Sequence, residues 1–374
     1  MTRLLLQSTS RCVVPQKKVL RYNGCMSPTK PARLPLYAPF EGPVSTLYAE
    51  LAERARAESP LLPGTPGTLA LRQRADSGAY WYRRYYGVPG QAQIEQFVGK
   101  QDDTTAYETM RLRIEAAGWS ATQVRSLKHL GMQVADKDAA RVLVEAHNRG
   151  WFAAGLTIVG TLAFMSWLNE LGVRAIASRT QDVDLARRQP LKLAVAVPFR
   201  EAMEATGLKF FDIPGLQPNT PPTSLKRPGK EGLRVDLLTS GRRLGQLVPV
   251  PELQWHAQAV PHFDYLLQAP RAMAVLAGGH CVPAQAPTPE RMAWHKLYSS
   301  TKRRADTAKA EKDLKQAAIL LAVLVERDNL DVVRSTVDVP DELLRAARRR
   351  LPSLRQLLQP HPQALEEVQR ALAG

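Results

Sequence analysis

Thr180-Gln-Asp-Val-Asp-Leu185 is the stretch on which the reading of this chain turns. Asp182 and Asp184 alternate about Val183, so on a strand both carboxylates lie on one face. Aspartate is disfavoured in strands, and two on the same face repel unless something positive sits between them. A divalent cation answers that demand. Mg2+ takes carboxylate oxygens in octahedral geometry and keeps positions for substrate phosphates, with Mn2+ as the alternative ion. Taken by itself, the same stretch also reads as a turn or strand end with two solvated aspartates.

Two other segments bear on that choice. Leu156-Thr-Ile-Val159 reads as a short buried strand, followed directly by Gly160-Thr161 and then by a helical run from Leu162 to Leu171. Glycine at a strand-to-helix turn lets the backbone approach a ligand closely, and the helix N-terminus presents free N–H groups suited to phosphate. Thr161 adds a hydroxyl donor. Downstream, Leu233-Arg-Val-Asp-Leu-Leu-Thr239 places Asp236 inside an otherwise apolar strand, between Val235 and Leu237. A carboxylate there is costly if buried and unpaired. It becomes sensible as a third metal ligand, or as the base for an incoming hydroxyl. Two metals bridged by aspartates align a nucleophile, an α-phosphate and a leaving pyrophosphate, so positioning and charge neutralisation carry the chemistry.

The order Gly160-Thr161, Asp182-x-Asp184, Asp236 resembles the polymerase-beta-type nucleotidyltransferases, and more narrowly a bacterial family of nucleotidyltransferase-fold proteins. Leu156 to Ala163 and Thr180 to Leu185 carry the resemblance most closely. Pro287-Thr-Pro-Glu-Arg-Met-Ala-Trp-His-Lys-Leu297, Lys312-Asp-Leu-Lys-Gln-Ala317 and an aromatic hairpin over Tyr80 to Gly99 are similar too. The resemblance spans residues 45–350. It departs in a longer interval from Thr161 to Asp182 and in threonine where serine is commoner. It implies an α/β (α+β) fold: a short mixed sheet with helices on one side, an N-terminal β-hairpin and helical region, and a C-terminal helical domain. It also implies transfer of a nucleoside monophosphate from an NTP to an acceptor. By their place in the matching motifs, Lys296 and Lys312 are the candidates to bind the triphosphate away from the metals. Similar proteins act as toxins in toxin–antitoxin pairs, which implies a cognate antitoxin protein as a partner.

The chain has 374 residues, 44% of them hydrophobic, and a formal net charge of +16. Charge of that size points to a polyanion, and RNA such as a tRNA 3′ end is the favoured acceptor. Protein nucleotidylation by the same site is the near alternative. A nucleic-acid-binding module on a decayed scaffold is the non-enzymatic one. Arg83 and Arg84, interleaved with aromatics, and Arg303 and Arg304 are the candidate nucleic-acid contacts, and solvated charge is the bland reading of each. Asp313 is expected to pair with a neighbouring lysine.

Cys12, Cys25 and Cys281 form neither a disulfide framework nor a zinc knuckle, and the histidines show no metal-cluster spacing. There is no Gly-x-x-x-x-Gly-Lys loop or nucleophile elbow. No apolar run approaches membrane-spanning length, and a cytoplasmic setting is expected.

Along the chain we expect a disordered basic lead over 1–43, with Met26 an alternative start. An N-terminal helix, hairpin and helical region follows over 44–150, then the catalytic core over 151–255 and a helical domain over 256–374. The finer expectation is a helix over 44–58 and a hairpin of 79–86 with 93–98 about Gly87-Val-Pro-Gly90. Helical sequence follows over 104–149, then helices over 291–299, 310–327 and 340–351, with Pro352 and Pro360 as breaks.

Overall fold

The computed structural model describes residues 34–58, 60–74, 78–87, 90–176, 180–213, 220–303 and 305–373. In chain order the elements begin with β1 (Tyr37–Pro39), α1 (Gly42–Ala57), β2 (Thr68–Arg74), β3 (Gly78–Tyr86), β4 (Gln93–Lys100), α2 (Thr104–His129) and α3 (Lys137–Asn148). Next come β5 (Thr157–Ile158), α4 (Gly160–Glu170), β6 (Val173–Ala175), β7 (Asp182–Arg187), α5 (Phe199–Ala205), β8 (Phe211–Asp212), β9 (Ser224–Lys226) and β10 (Arg234–Ser240). The rest are β11 (Leu247–Val250), β12 (Trp255–Val260), α6 (Phe263–Leu266), β13 (Arg271–Ala277), β14 (His280–Ala286), α7 (Pro289–Lys302), α8 (Thr307–Asp328), α9 (Val332–Ser335), α10 (Asp341–Leu357) and α11 (Pro362–Leu372). The fold is α+β with a mixed central sheet, as expected.

That sheet runs β11-β12-β10-β7-β5, with β9 on β10 and β8 on β9. Strands β7 and β10 are parallel, as are β10 and β12, while β5 lies antiparallel to β7. One edge of β10 is shared: Arg234 to Asp236 pair with β9, and Leu238 to Ser240 pair with β12. Val183, Leu185, Val235 and Leu237 are buried, which is the apolar half of the alternation seen in the sequence. Residue pairs such as Asp182 and Asp184 fall on the other face.

Hairpin β13–β14 is buried on both faces, which explains its nearly continuous apolar sequence. Met273, Val275, Val282 and Ala284 belong to the large core shared with the central sheet and the C-terminal helices. Ala274, Leu276 and Cys281 face a smaller core with Tyr48, Leu51 and Leu127 of α1 and α2. In α8 the run Ala317–Val325 is wholly buried, with Asp306 capping the start through Lys309 N–H and Asn329 ending the helix in the left-handed region at φ 51°. No helix among the described residues is long and apolar enough to cross a membrane.

Several expectations need correction. Residues 1–33 of the basic lead lie outside the described residues, but its last part, from Leu34, is built into the fold. Strand β1 pairs antiparallel with β6, Tyr37 stacks on His361 at 5.2 Å, and its hydroxyl donates to Glu326 at 2.7 Å. The hairpin is a three-stranded sheet, because β2 pairs along its whole length with Gly78 to Arg84 of β3. The helical stretch 104–149 breaks at Gly131, whose φ of +98° only glycine adopts freely. Region 256–374 starts with strands, and helices take over only at Pro289. Pro352 lies inside α10, so that helix continues through it with one i→i−4 bond missing.

Arg83, expected to contact nucleic acid, is fully buried. Its guanidinium donates to the carbonyls of Pro63 (2.9 Å), Thr65 (2.6 Å) and Pro66 (2.9 Å) and to Gln96 Oε1 (3.1 Å), and it lies over the Tyr85 ring. It closes the 60–67 loop onto the sheet and is withdrawn from any ligand. An Arg83→Lys substitution removes the planar fork and leaves buried carbonyls without donors. We expect it to destabilise the protein by about 3 kcal/mol, read from urea unfolding. An unchanged midpoint would show that the loop finds other donors.

Candidate active site

The parallel register of β7 and β10 sets Asp236 directly opposite Asp184 and Arg234 opposite Asp182. On the other side of β10, antiparallel β9 sets Ser224 opposite Asp236 and Lys226 opposite Arg234. Cross-strand partners share a face, so two rows run side by side across three strands. One is Asp184–Asp236–Ser224 and the other Asp182–Arg234–Lys226. Adjacent strands are only about 4.8 Å apart, so the first row brings two carboxylates together.

Asp184 carries the electrostatic consequence. Its carboxyl is pushed up to about 7, first by burial, then by Asp236 and Asp182, against the pull of Lys296 and Arg234. Asp236 is restrained differently. Its Oδ1 accepts from Arg234 Nε at 2.8 Å and from the Ser224 hydroxyl, while Arg234 Nη2 donates to Ser224 Oγ at 3.0 Å. Asp182, at the exposed start of β7, has its N–H on Thr180 Oγ1 at 3.2 Å.

The strand-to-helix turn sits against this face. Gly160 has φ +68°, and a Cβ there would fall 2.1 Å from Asp184 Oδ2. Both facts require glycine: a side chain would be strained and would displace the carboxylate. Thr161 follows, buried in the first turn of α4, and Val159 N–H bonds the Asp184 carbonyl at 3.0 Å.

Cations reach the face from the C-terminal helices. Lys296 on α7 is buried, with Nζ 3.3 Å from Asp313 Oδ1 of α8. Burial pulls its ammonium down, while Asp313 and then Asp184 push it up. Lys312, one residue before Asp313, is also pulled down by burial and by Lys296, with Asp313 and then Asp182 opposing. The structure therefore brings both lysines into the field of the aspartates. Arg303 is drawn to Asp313 Oδ2 at 3.0 Å, a close ion pair that lacks hydrogen-bond direction, since that oxygen has no well-aligned donor. Arg84 is ion-paired with Glu95 at 3.4 Å on the three-stranded sheet. Arg304 lies outside the described residues. Asp313 does pair with a lysine, but with Lys296 rather than with a neighbour in sequence. His295 is structural: burial pushes it down to about 4, and its ring packs on Phe263.

Reading by motif missed Arg234 and Ser224. Arg234 had a signal, because two residues before Asp236 on a strand means the same face. Ser224 had none, since its place depends on the β9–β10 register.

The donor set consists of hard carboxylate oxygens under mutual repulsion, which fits Mg2+ or Mn2+. Among the described residues no three His, Cys, Asp or Glu side chains form a ready-made cage. Asp236 is held toward Arg234 and Ser224 instead. Magnesium sites completed by substrate phosphates need no such cage. A cleft of about 670 Å³ between the 60–67 loop, α2, α3 and the β13–β14 turn contains none of these residues. Donor chemistry, not cavity size, marks the aspartate face as the candidate site.

The model of a nucleotidyltransferase family matches residues 137–338, more than half of the chain, and the chain belongs to that family. It is accordingly a transferase of the nucleotidyl-transferring class. No curated protein matches it. Among solved structures it is similar to an antigenic nucleotidyltransferase-like protein from Paracoccidioides brasiliensis, at 16% identity and a TM-score of 0.36, over 62% of this chain and 92% of that one.

Folding raises Asp184 from the ordinary 3.8 to about 7, so between those values the folded chain binds more protons there than the unfolded one. Without divalent cation, stability therefore falls as pH rises through that window and stays low above it. Asp184→Asn removes the penalty. We expect this variant to melt higher than the parent above pH 7, by roughly 2–4 °C per kcal/mol relieved. The two should converge near pH 4, and Mg2+ should stabilise the parent alone. Equal melting at high pH would show that Asp184 is not held against its neighbours.

Proposed function

We propose that this nucleotidyltransferase moves a nucleoside monophosphate from an NTP to an RNA acceptor, using Asp182, Asp184 and Asp236. The observation that carries the reading is the β7–β10 register, which sets Asp184 against Asp236 beneath the Gly160 turn. The three aspartates would hold Mg2+ or Mn2+, which supplies charge neutralisation at the triphosphate and acidifies the acceptor hydroxyl.

The chain's own groups do the rest. Gly160 and Thr161 present the first N–H groups of α4 to phosphate oxygens. Lys296, oriented by Asp313, and Lys312 meet the charge that gathers on the departing pyrophosphate. Asp236, with one oxygen anchored by Arg234 and Ser224, stands ready to take the acceptor's proton. The acceptor oxygen bonds the α-phosphorus as the bond to the β-phosphate bridge breaks.

Net charge of +16 supports a polyanionic acceptor such as RNA over an uncharged or basic one. Incubating the protein with α-labelled NTPs, Mg2+ and total RNA should label RNA. Asp182→Asn and Asp236→Asn should each lower transfer by at least about a hundredfold. A fully active Asp182→Asn variant would refute the site. Label on protein rather than RNA would replace the acceptor with a polypeptide hydroxyl.

A further inference from the structure

We propose that the outer face of the β2–β3–β4 sheet is a stacking platform for single-stranded RNA; this rests on the RNA-acceptor reading above and names the surface that holds the strand. Alternation along β3 divides its side chains. Trp81, Arg83 and Tyr85 face the protein, where Trp81 packs on Tyr107 of α2 at 4.6 Å and Arg83 is enclosed by the 60–67 loop. Tyr80, Tyr82 and Arg84 take the opposite face, with Arg72 and Ala70 of β2 and Phe97 and Glu95 of β4 as cross-strand neighbours.

That outer face is unlike an ordinary solvated sheet surface. Phe97 is 57% exposed, and its ring lies 6.0 Å from Tyr80 and 5.8 Å from Tyr82. Arg74 stands 5.8 and 5.9 Å from the two tyrosine rings and donates to the Tyr82 hydroxyl at 2.8 Å. The cations Arg72, Arg74, Arg84 and Lys100 outnumber Glu95, the carboxylate that Arg72 and Arg84 share. Aromatic faces interleaved with guanidinium groups suit unpaired bases on a phosphate backbone, because every base offers a π-face and every phosphate a charge.

The platform continues beyond the sheet. Tyr86, 48% exposed and next along the same face of β3, lines the cleft of about 670 Å³ described above. Arg125, Lys128 and Lys137 also line that cleft. A strand laid over Phe97 and Tyr82 therefore has a charge-complementary path past Tyr86. Duplex RNA does not fit this chemistry, since its bases are already stacked on each other.

The test uses the full chain and a labelled 12-nucleotide single-stranded RNA, with affinity read by fluorescence anisotropy. Phe97→Ala and Arg74→Ala, both on exposed groups, should each weaken binding about tenfold. Circular dichroism melting and NTP affinity should stay at the parent's values. A same-length duplex should bind at least about tenfold more weakly than the single strand. Parent-like affinity in both variants, or equal binding of duplex and single strand, would overturn the platform. Binding of single strands that the variants weaken, without any label transfer to RNA, would leave the platform standing and remove the acceptor reading instead. Loss of protein labelling in the variants, with no RNA binding by the parent, would assign the face to a polypeptide partner and overturn the proposal.

Discussion

Two carboxylates face each other across adjacent parallel strands, and much of the molecule is arranged around that repulsion. Asp184 and Asp236 are in register, and burial amplifies their interaction until Asp184 holds its proton up to about pH 7. Like charges so placed destabilise a sheet. The fold answers with Arg234 and Ser224 on one oxygen of Asp236, and with Lys296 and Lys312 brought from helices more than a hundred residues later than Asp182. Such local strain, held by the surrounding structure, is characteristic of functional sites.

Keeping Lys296 charged beside that face creates a second constraint. An ammonium buried in apolar surroundings loses its charge readily, and Asp313 opposes that loss. Both residues sit on helices whose other faces fill the common core: Trp294 and Leu297 beside Lys296, Leu314 and Ala317 beside Asp313. The C-terminal helices are therefore not an appendage. They complete the electrostatics of the sheet and share its hydrophobic interior.

Much of the candidate face was legible because strand alternation is a strict rule. Asp182-x-Asp184 could only share a face, Asp236 stood out against Val235 and Leu237, and a glycine before a helix suggested a backbone held close to something. Where reading along the chain failed, the reasons were pairing and burial. Arg83 and Arg84 are adjacent, yet alternation sends one into the interior and the other outward. The net charge counted every arginine alike, although Arg83, Arg141 and Arg187 are buried; Arg83 and Arg141 are taken up by backbone carbonyls, and Arg187 is taken up by Glu252 and the Pro249 carbonyl. Strand β1 was read as part of a disordered lead because its order comes from His361 and Glu326, far away in sequence.

Residue type and spacing by themselves singled out the candidate groups, the three aspartates and the glycine at the turn, and the resemblance added the lysines of the tail motifs. Local rules suffice there, since a period of two fixes a strand face and glycine alone tolerates φ +68° with a carboxylate against its α-carbon. Only the tertiary structure decided which of these groups meet. The β7–β10 register opposes Asp184 to Asp236, β9 delivers Ser224, and α7 against α8 joins Lys296 to Asp313. Those are non-local pairings, set by how strands align and helices pack, and no window of sequence contains them.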